Sequence, residues 1–514
     1  MRIRLLSAGA ALGALMGCGE ASRDAPDSLA TAAPIVCEAL RTLSVPNTTL
    51  SVVERVAAGQ FQPPIPDAPF QPPTNYAALP NFCRVAGMLT PSADSQIGFE
   101  LWLPETAWNG KFMQAGNGGA AGSILYPALA DALLRGYAVT NTDTGHQGGG
   151  GDFSWALGHP EKLTDYAYRA VHELTLAGRA ITTARYGQAP DRSYWNGCST
   201  GGRQGLMEAQ RFPDDYDAII AGAPANNWVP LMSFSIEVSR NMTGPNGLGI
   251  DKLGLLKEAA LAQCDALDGV TDRVIGASAQ CGFDPASLAC GTADAGMCLN
   301  PTQVAAARRI YAGVVDRSGA TLFPGTGPAS EPLWAAYASP EFEIGVNYFR
   351  NVVAQDPSWD AADFNVDRDV ARAETADAGA TRATDPDLSA FIARGGKLLL
   401  YHGTTDGLIP YANSESYYRS VVSTLGEQKV ASQVRFFPVP GMDHCAGGDG
   451  AFMIDWLDAL ERWDADNVAP DRLPASRPPG TEERTRPVCA YPQSARYTGS
   501  GSPDDAANWT CAAP

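Results

Sequence analysis

The chain has 514 residues, 45% of them hydrophobic and 18% charged, which is ordinary for a globular protein and enough to bury a sizeable core. Net charge is −19 and the isoelectric point lies near 4.7. So acidic a surface, with no basic stripe to relieve it, repels nucleic-acid backbones and excludes nucleic acid as a partner.

The first residues read as a targeting segment. Arg2 and Arg4 precede an apolar run from Leu5 to Met16, the pattern of a signal peptide over residues 1–17. The run is too short to span a bilayer, and no later stretch reaches the ~18 apolar residues that a membrane helix needs. It closes on Leu15-Met16-Gly17-Cys18, which resembles the bacterial lipobox. Two readings of Cys18 stay open: a lipidated N-terminus that attaches the chain to a membrane, or an incidental cysteine beside an ordinary cleavage site. Both predict an exported protein, either periplasmic or outer-membrane as a lipoprotein, or secreted. Residues 18–35, small and polar, form a tether. Setting Cys18 aside leaves ten cysteines, an even number that fits a disulfide framework in an oxidising compartment. No Cys-x-x-Cys pair suggests structural zinc.

Six prolines between Gln62 and Pro73 predict extended loop. Strands are predicted over 97–103 and 111–115, the second running into Gly116-Asn117-Gly118-Gly119-Ala120-Ala121-Gly122, and over 137–140. A helix follows over 165–186, with Val171, Leu174, Ala177 and Ile181 at helical spacing. Then come a strand over 193–196, a helix over 203–212 and a strand over 217–221. From 225 to 384 the alternation fails; this stretch holds Cys264, Cys281, Cys290 and Cys298 and reads as an insertion. Alternation resumes with Asp387 capping a helix through Leu388, Phe391 and Ile392, strands over 397–401 and 435–439, and a last helix over 452–463. Strands alternating with helices predict a mostly parallel sheet.

The strand over 193–196 and the helix over 203–212 enclose Gly197-Cys198-Ser199-Thr200-Gly201, a Gly-x-Ser-x-Gly in the strand–turn–helix setting of a nucleophile elbow. A serine nucleophile needs a base, and the chain has five histidines. In α/β-hydrolases the order is serine, acid, histidine. His146, His159 and His172 precede the serine, and His172 reads as structural on a helix face. His402 follows a strand with no acid between it and the insertion. His444 remains, in the loop after the 435–439 strand. Asp406, just past the 397–401 strand, is the acid; Asp443 is the rival but sits beside His444, badly placed to reach its imidazole. Oxyanion donors are expected from the N–H of Thr200 and, in the Gly-rich loop, of Gly118, with Gly119 the next choice. That loop has neither the spacing nor the lysine of a phosphate cradle, and no organic cofactor is expected. Local spacing suggests disulfides Cys264–Cys281, Cys290–Cys298 and Cys489–Cys511. Cys198 and Cys445 flank Ser199 and His444, so contact between serine and histidine would bring these sulfurs together too.

Gly197-Cys198-Ser199-Thr200-Gly201-Gly202-Arg203, Asp406 and Pro440-Gly441-Met442-Asp443-His444-Cys445 together resemble the tannase and feruloyl esterase family, which includes the mono(2-hydroxyethyl) terephthalate hydrolase of plastic-degrading bacteria. The resemblance runs from Cys37 to Cys511. It implies an α/β-hydrolase fold with a large inserted lid domain: hydrolase parts over 36–224 and 385–514, the second with a disulfide-closed tail, and the lid over 225–384. It implies serine esterase chemistry on a small aromatic ester, hydroxycinnamoyl or galloyl, carried by plant polysaccharide or tannin. It adds the pair Cys37–Cys83 and the pair Cys198–Cys445. It also implies a structural Ca²⁺ in the lid, held by the side chains of Asp265, Asp268 and Asp272 and the carbonyls of Val270 and Val274; three carboxylates on one loop suit calcium, though the loop is no EF-hand. Rival readings are a terephthalate monoester hydrolase, in which a lid arginine such as Arg350 would clamp the free carboxylate, a peptidase, and a non-catalytic surface lipoprotein that binds phenolics or carbohydrate.

Overall fold

The computed structural model describes residues 33–65, 74–291 and 295–513. The signal segment, Cys18 and most of the tether and the Pro-rich loop lie outside these residues.

A nine-stranded sheet is the frame. Its strands are β1 (Thr48–Val56), β2 (Phe82–Leu89), β3 (Ile97–Pro104), β4 (Lys111–Ala115), β5 (Ala138–Thr142), β6 (Arg192–Cys198), β7 (Ala218–Gly222), β8 (Lys397–Gly403) and β9 (Val434–Val439), in the order β1-β2-β3-β5-β4-β6-β7-β8-β9. From β5 to β9 every neighbouring pair is parallel, and β1, β2 and β3 extend the sheet antiparallel. The parallel strands are almost continuously buried, as strands covered on both faces must be. Helices α1 (Tyr126–Leu134), α2 (Ala170–Tyr186), α3 (Thr200–Arg211), α8 (Tyr411–Leu425) and α9 (Trp456–Asp466) supply the cover. Leu174, Ile181, Leu206 and Val421 pack on one face, and Leu129, Leu133, Leu460 and Trp463 on the other.

Between β7 and β8 the insertion builds a second core, in which Trp228, Phe234, Ile310, Trp334 and Tyr348 are buried together with Phe153, Trp155 and Tyr166 from the loops and helix beneath it. Its longer helices are α4 (Trp228–Met242), α5 (Leu253–Cys264), α6 (Pro301–Ala312) and α7 (Val366–Asp377). It rests on loops at the carboxyl edge of the sheet: Tyr337 donates its hydroxyl to Leu408 O at 2.7 Å, and Asn347 donates to Gly151 O at 2.9 Å. The tail folds back, with Tyr491 N–H donating to Phe436 O of β9 at 2.8 Å. The disulfides are Cys37–Cys83, Cys198–Cys445, Cys264–Cys281, Cys290–Cys298 and Cys489–Cys511, the pairs that spacing and resemblance suggest.

Several element ends move from their expected places for local reasons. The helix expected over 165–186 is regular only from Ala170, because a π turn occupies Asp165–Arg169. There Asp165 accepts from Arg169 Nε at 2.6 Å and from Ser95 Oγ at 3.1 Å. The last helix starts at Trp456, four residues late, because Met453 pairs instead with Ser476. Asp387 does accept the Ser389 N–H at 3.0 Å, but the helix it begins is only Ser389–Ala393.

Candidate active site

Ser199 is the residue between β6 and α3, and its backbone lies in the left-handed region, at φ 64° and ψ −122°. A side chain rarely adopts that conformation, and strain of this kind concentrates at functional positions. The surrounding glycines permit it. A Cβ on Gly197 would lie 2.7 Å from the Gly201 carbonyl, and one on Gly201 would lie 3.0 Å from Gly116 Cα. The turn is pinned by Ser199 N–H donating to Gly222 O at 3.0 Å and Arg203 N–H donating to Ser199 O at 3.0 Å.

Asp406 and His444 follow β8 and β9, so with Ser199 they stand at the same edge of adjoining parallel strands, where α/β active sites collect. His444 Nδ1 lies 2.7 Å from Asp406 Oδ2. Asp406 is 1% exposed, and its other oxygen accepts the N–H groups of Leu408 and Ile409, each at 2.9 Å. Burial alone would raise this carboxyl. His444 and His402 outweigh burial and hold it below the ordinary carboxylate range. Asp443 is turned elsewhere: its Oδ1 accepts the Thr405 hydroxyl at 3.0 Å. Cys198–Cys445 ties the elbow to the histidine loop with the two Cα atoms 6.0 Å apart.

One member of the site escapes sequence reasoning. His402, set aside as a base, lies fully buried behind Asp406, with Nε2 at 3.1 Å from Asp406 Oδ2 and 2.8 Å from Ile409 O. The Ile409 carbonyl can only accept, so Nε2 carries a proton, and Nδ1 lies 2.7 Å from the Ser414 hydroxyl. His402 thus gives Asp406 a second donor. The sequence signal is the spacing of four from Asp406, visible only once the turn after β8 is known.

The Gly-rich loop after β4 approaches the elbow closely. Gly201 N–H donates to Asn117 O at 2.7 Å, and the Thr200 hydroxyl donates to Gly119 O at 2.6 Å. Asn117 N–H is taken by Gln204 and Ala120 N–H by Gly150 O, whereas among the described residues neither Gly118 N–H nor Gly119 N–H donates to a protein group, and Gly118 is the more exposed of the two. Thr200 is the first residue of α3, where an N–H has no intrahelical acceptor. These are the donors expected of an oxyanion hole. His146 braces the loop from behind: its Nε2 lies 2.7 Å from Ala120 O and its ring stacks on Trp155 at 3.8 Å. Burial lowers its imidazole to about 4, so it stays neutral.

Arg350 is engaged inside the insertion, donating to Trp359 O at 3.1 Å and Asn347 Oδ1 at 3.0 Å. The acidic loop 265–274 offers oxygen donors of the type calcium takes. Burial, joined by the charges of Asp272 and Asp265, pushes Asp268 up to about 6, and among the described residues the carbonyls of Val270 and Val274 accept no hydrogen bond. The Asp265 oxygens accept the N–H groups of Asp272 and Arg273 at 3.2 and 2.9 Å, while one Asp272 oxygen meets Arg486 at 2.6 Å. The three carboxylates are not gathered within 4.8 Å of one another; among the described residues only His172, Glu208 and Asp215 are.

The family model for tannase and feruloyl esterase matches residues 83–512. An uncharacterized esterase of Xanthomonas campestris pv. campestris is 37% identical, covering 99% of this chain and 94% of that protein. Feruloyl esterase C of Talaromyces stipitatus is 34% identical, covering 92% of this chain and 94% of that protein. The crystal structure of feruloyl esterase B from Aspergillus oryzae superposes with a TM-score of 0.86 at 33% identity, covering 93% of this chain and 99% of that one. Tannin acyl hydrolase from Aspergillus niger shares the fold, with a TM-score of 0.75 at 24% identity over 95% of each chain.

Proposed function

We propose, from the premise that this chain belongs to the tannase and feruloyl esterase family, that Ser199, Asp406 and His444 hydrolyse hydroxycinnamoyl or galloyl esters through an acyl-enzyme. The chain is a carboxylic ester hydrolase with an α/β-hydrolase fold. The observation that carries the catalytic assignment is the 2.7 Å contact of His444 with a buried Asp406, tied by Cys198–Cys445 to a serine in the left-handed elbow conformation.

The steps follow from these positions. Ser199 Oγ attacks the acyl carbon while His444 Nε2 accepts its proton. The carbonyl oxygen gains negative charge as the tetrahedral intermediate forms, and the N–H groups of Thr200 and Gly118 stabilise it. His444, now an imidazolium, is stabilised by Asp406 and gives its proton to the departing alcohol. Water enters, His444 deprotonates it, and the same steps in reverse order release the aromatic acid and return Ser199 Oγ–H.

Plant polysaccharide or tannin is the proposed carrier of the ester. The terephthalate monoester reading calls for a free arginine at the substrate carboxylate, and Arg350 already holds Trp359 O and Asn347. Five disulfides support export, and attachment through a lipidated Cys18 is proposed with it. Methyl ferulate, methyl gallate, the terephthalate monoester and a peptide amide, assayed side by side, test the substrate class. The expected result is the highest kcat/KM on one of the two phenolic esters; highest turnover of the monoester or the amide would contradict it.

Ca²⁺ held by Asp265, Asp268, Asp272 and the Val270 and Val274 carbonyls is proposed as a structural ion. Its positive charge would relieve the carboxylate crowding and cross-link the loop. Chelation should lower the thermal midpoint of the wild type and leave that of Asp268→Asn unchanged. Equal shifts in both would remove calcium from this loop.

A further inference from the structure

On the side of α3 away from the serine, His172, Glu208 and Asp215 each bring one ligand atom to within 4.8 Å of the others. His172 is on α2, Glu208 is in the last turn of α3, and Asp215 is in the turn before β7. His172 Nδ1 lies 2.7 Å from Asp215 Oδ2, and Phe212 stacks on the imidazole at 3.9 Å with 11° between the planes, which fixes the ring. Glu208 is 1% exposed, and among the described residues no N–H or hydroxyl donates to either of its carboxylate oxygens, which lie beside Asp215. Asp215 is buried too, and among the described residues no lysine or arginine pairs with either acid.

Buried carboxylates are normally paired, protonated or bound to metal. Here two of them converge on one imidazole, with no other basic side chain paired to either among the described residues. We propose that His172, Glu208 and Asp215 bind a divalent transition metal of the zinc or manganese type. One nitrogen with carboxylate oxygens suits those ions, whereas calcium takes oxygen ligands only. The His172 side chain is 25% exposed and gives the ion a route in. Bound there, the ion would fasten the carboxyl end of α3, the helix that begins at the nucleophile, to α2. The site is separate from the acidic loop 265–274.

Zinc retention by the full chain, measured by mass spectrometry of the metal after gel filtration in calcium-containing buffer, tests this. Calcium keeps the acidic loop occupied. The expected result is about one zinc per wild-type chain and none in either Glu208→Gln or His172→Gln. No zinc on the wild type, or undiminished zinc on either variant, would overturn the proposal. Should a variant fail to fold, zinc-edge X-ray absorption of the wild type decides: a shell of one imidazole nitrogen with oxygens supports the site, and a shell with several imidazoles or sulfur overturns it. A wild type that holds no zinc while Glu208→Gln melts higher would assign a shared proton to the cluster instead.

Discussion

Asp406 is gripped from two sides, by His444 at 2.7 Å and by His402 at 3.1 Å, and it is the residue on which the orientation of His444 depends. Asp406→Asn is expected to lower kcat about 10⁴-fold with the fold intact, because the imidazole loses its partner for the correct tautomer. Asp443→Asn is expected to keep activity, since that side chain bonds Thr405. It should also change the pH dependence of stability. Burial pushes Asp443 up to about 6 in the folded chain, from 3.8 when unfolded. The folded state therefore binds the extra proton, and the stability this gives is present below pH 4 and lost as pH rises through 6. Removing the charge should raise the thermal midpoint at pH 8 and leave it unchanged near pH 4. A large loss of activity in Asp443→Asn would exchange the two acids. Sequence order and strand ends point to Asp406 rather than Asp443, and it is Asp406 that lies against His444. They could not show His402 as a support, because that role depends on which way a buried ring points after the chain turns.

The elements that carry the site are short, and cross-links hold them. Cys198–Cys445 closes 247 residues of sequence, which in the chain-entropy picture is worth roughly 5 kcal/mol. It also joins the end of β6 to the loop after β9, across β7 and β8. A double Cys198→Ser and Cys445→Ser variant should therefore lose most of its kcat while circular dichroism still reports a folded chain below its lowered midpoint. Activity that falls only in step with unfolding would deny the bond a local role. The buried parallel strands were legible as apolar runs, within a residue or two at each end. β1 and β2 were not: Glu54, Arg55 and Arg84 interrupt their pattern, and their place in the sheet comes from pairing with each other and with β3. The helix after the serine starts at Thr200 rather than Arg203, because the elbow itself forms the helix end.

At the scale of the molecule, one sheet gathers the reactive groups at its carboxyl edge, and an insertion that shares a core with Phe153, Trp155 and Tyr166 leans on the loops that present them. Cysteine spacing and broken alternation revealed the insertion in the sequence. How it sits on Leu408 and Gly151 could not be read there, since those contacts join segments far apart in the chain. The tail reaches the acidic loop in the same way, through Arg486 and Asp272. The elbow, the histidine loop and the Gly-rich loop converge on one hydroxyl, that of Ser199. Intact-mass spectrometry with peptide mapping after treatment with a fluorophosphonate probe reads it directly. The wild type should gain one phosphonyl group on Ser199 and lose methyl ferulate hydrolysis, and Ser199→Ala should remain unlabelled and inactive with an unchanged fold. Labelling at another residue, or full turnover by Ser199→Ala, would contradict the account.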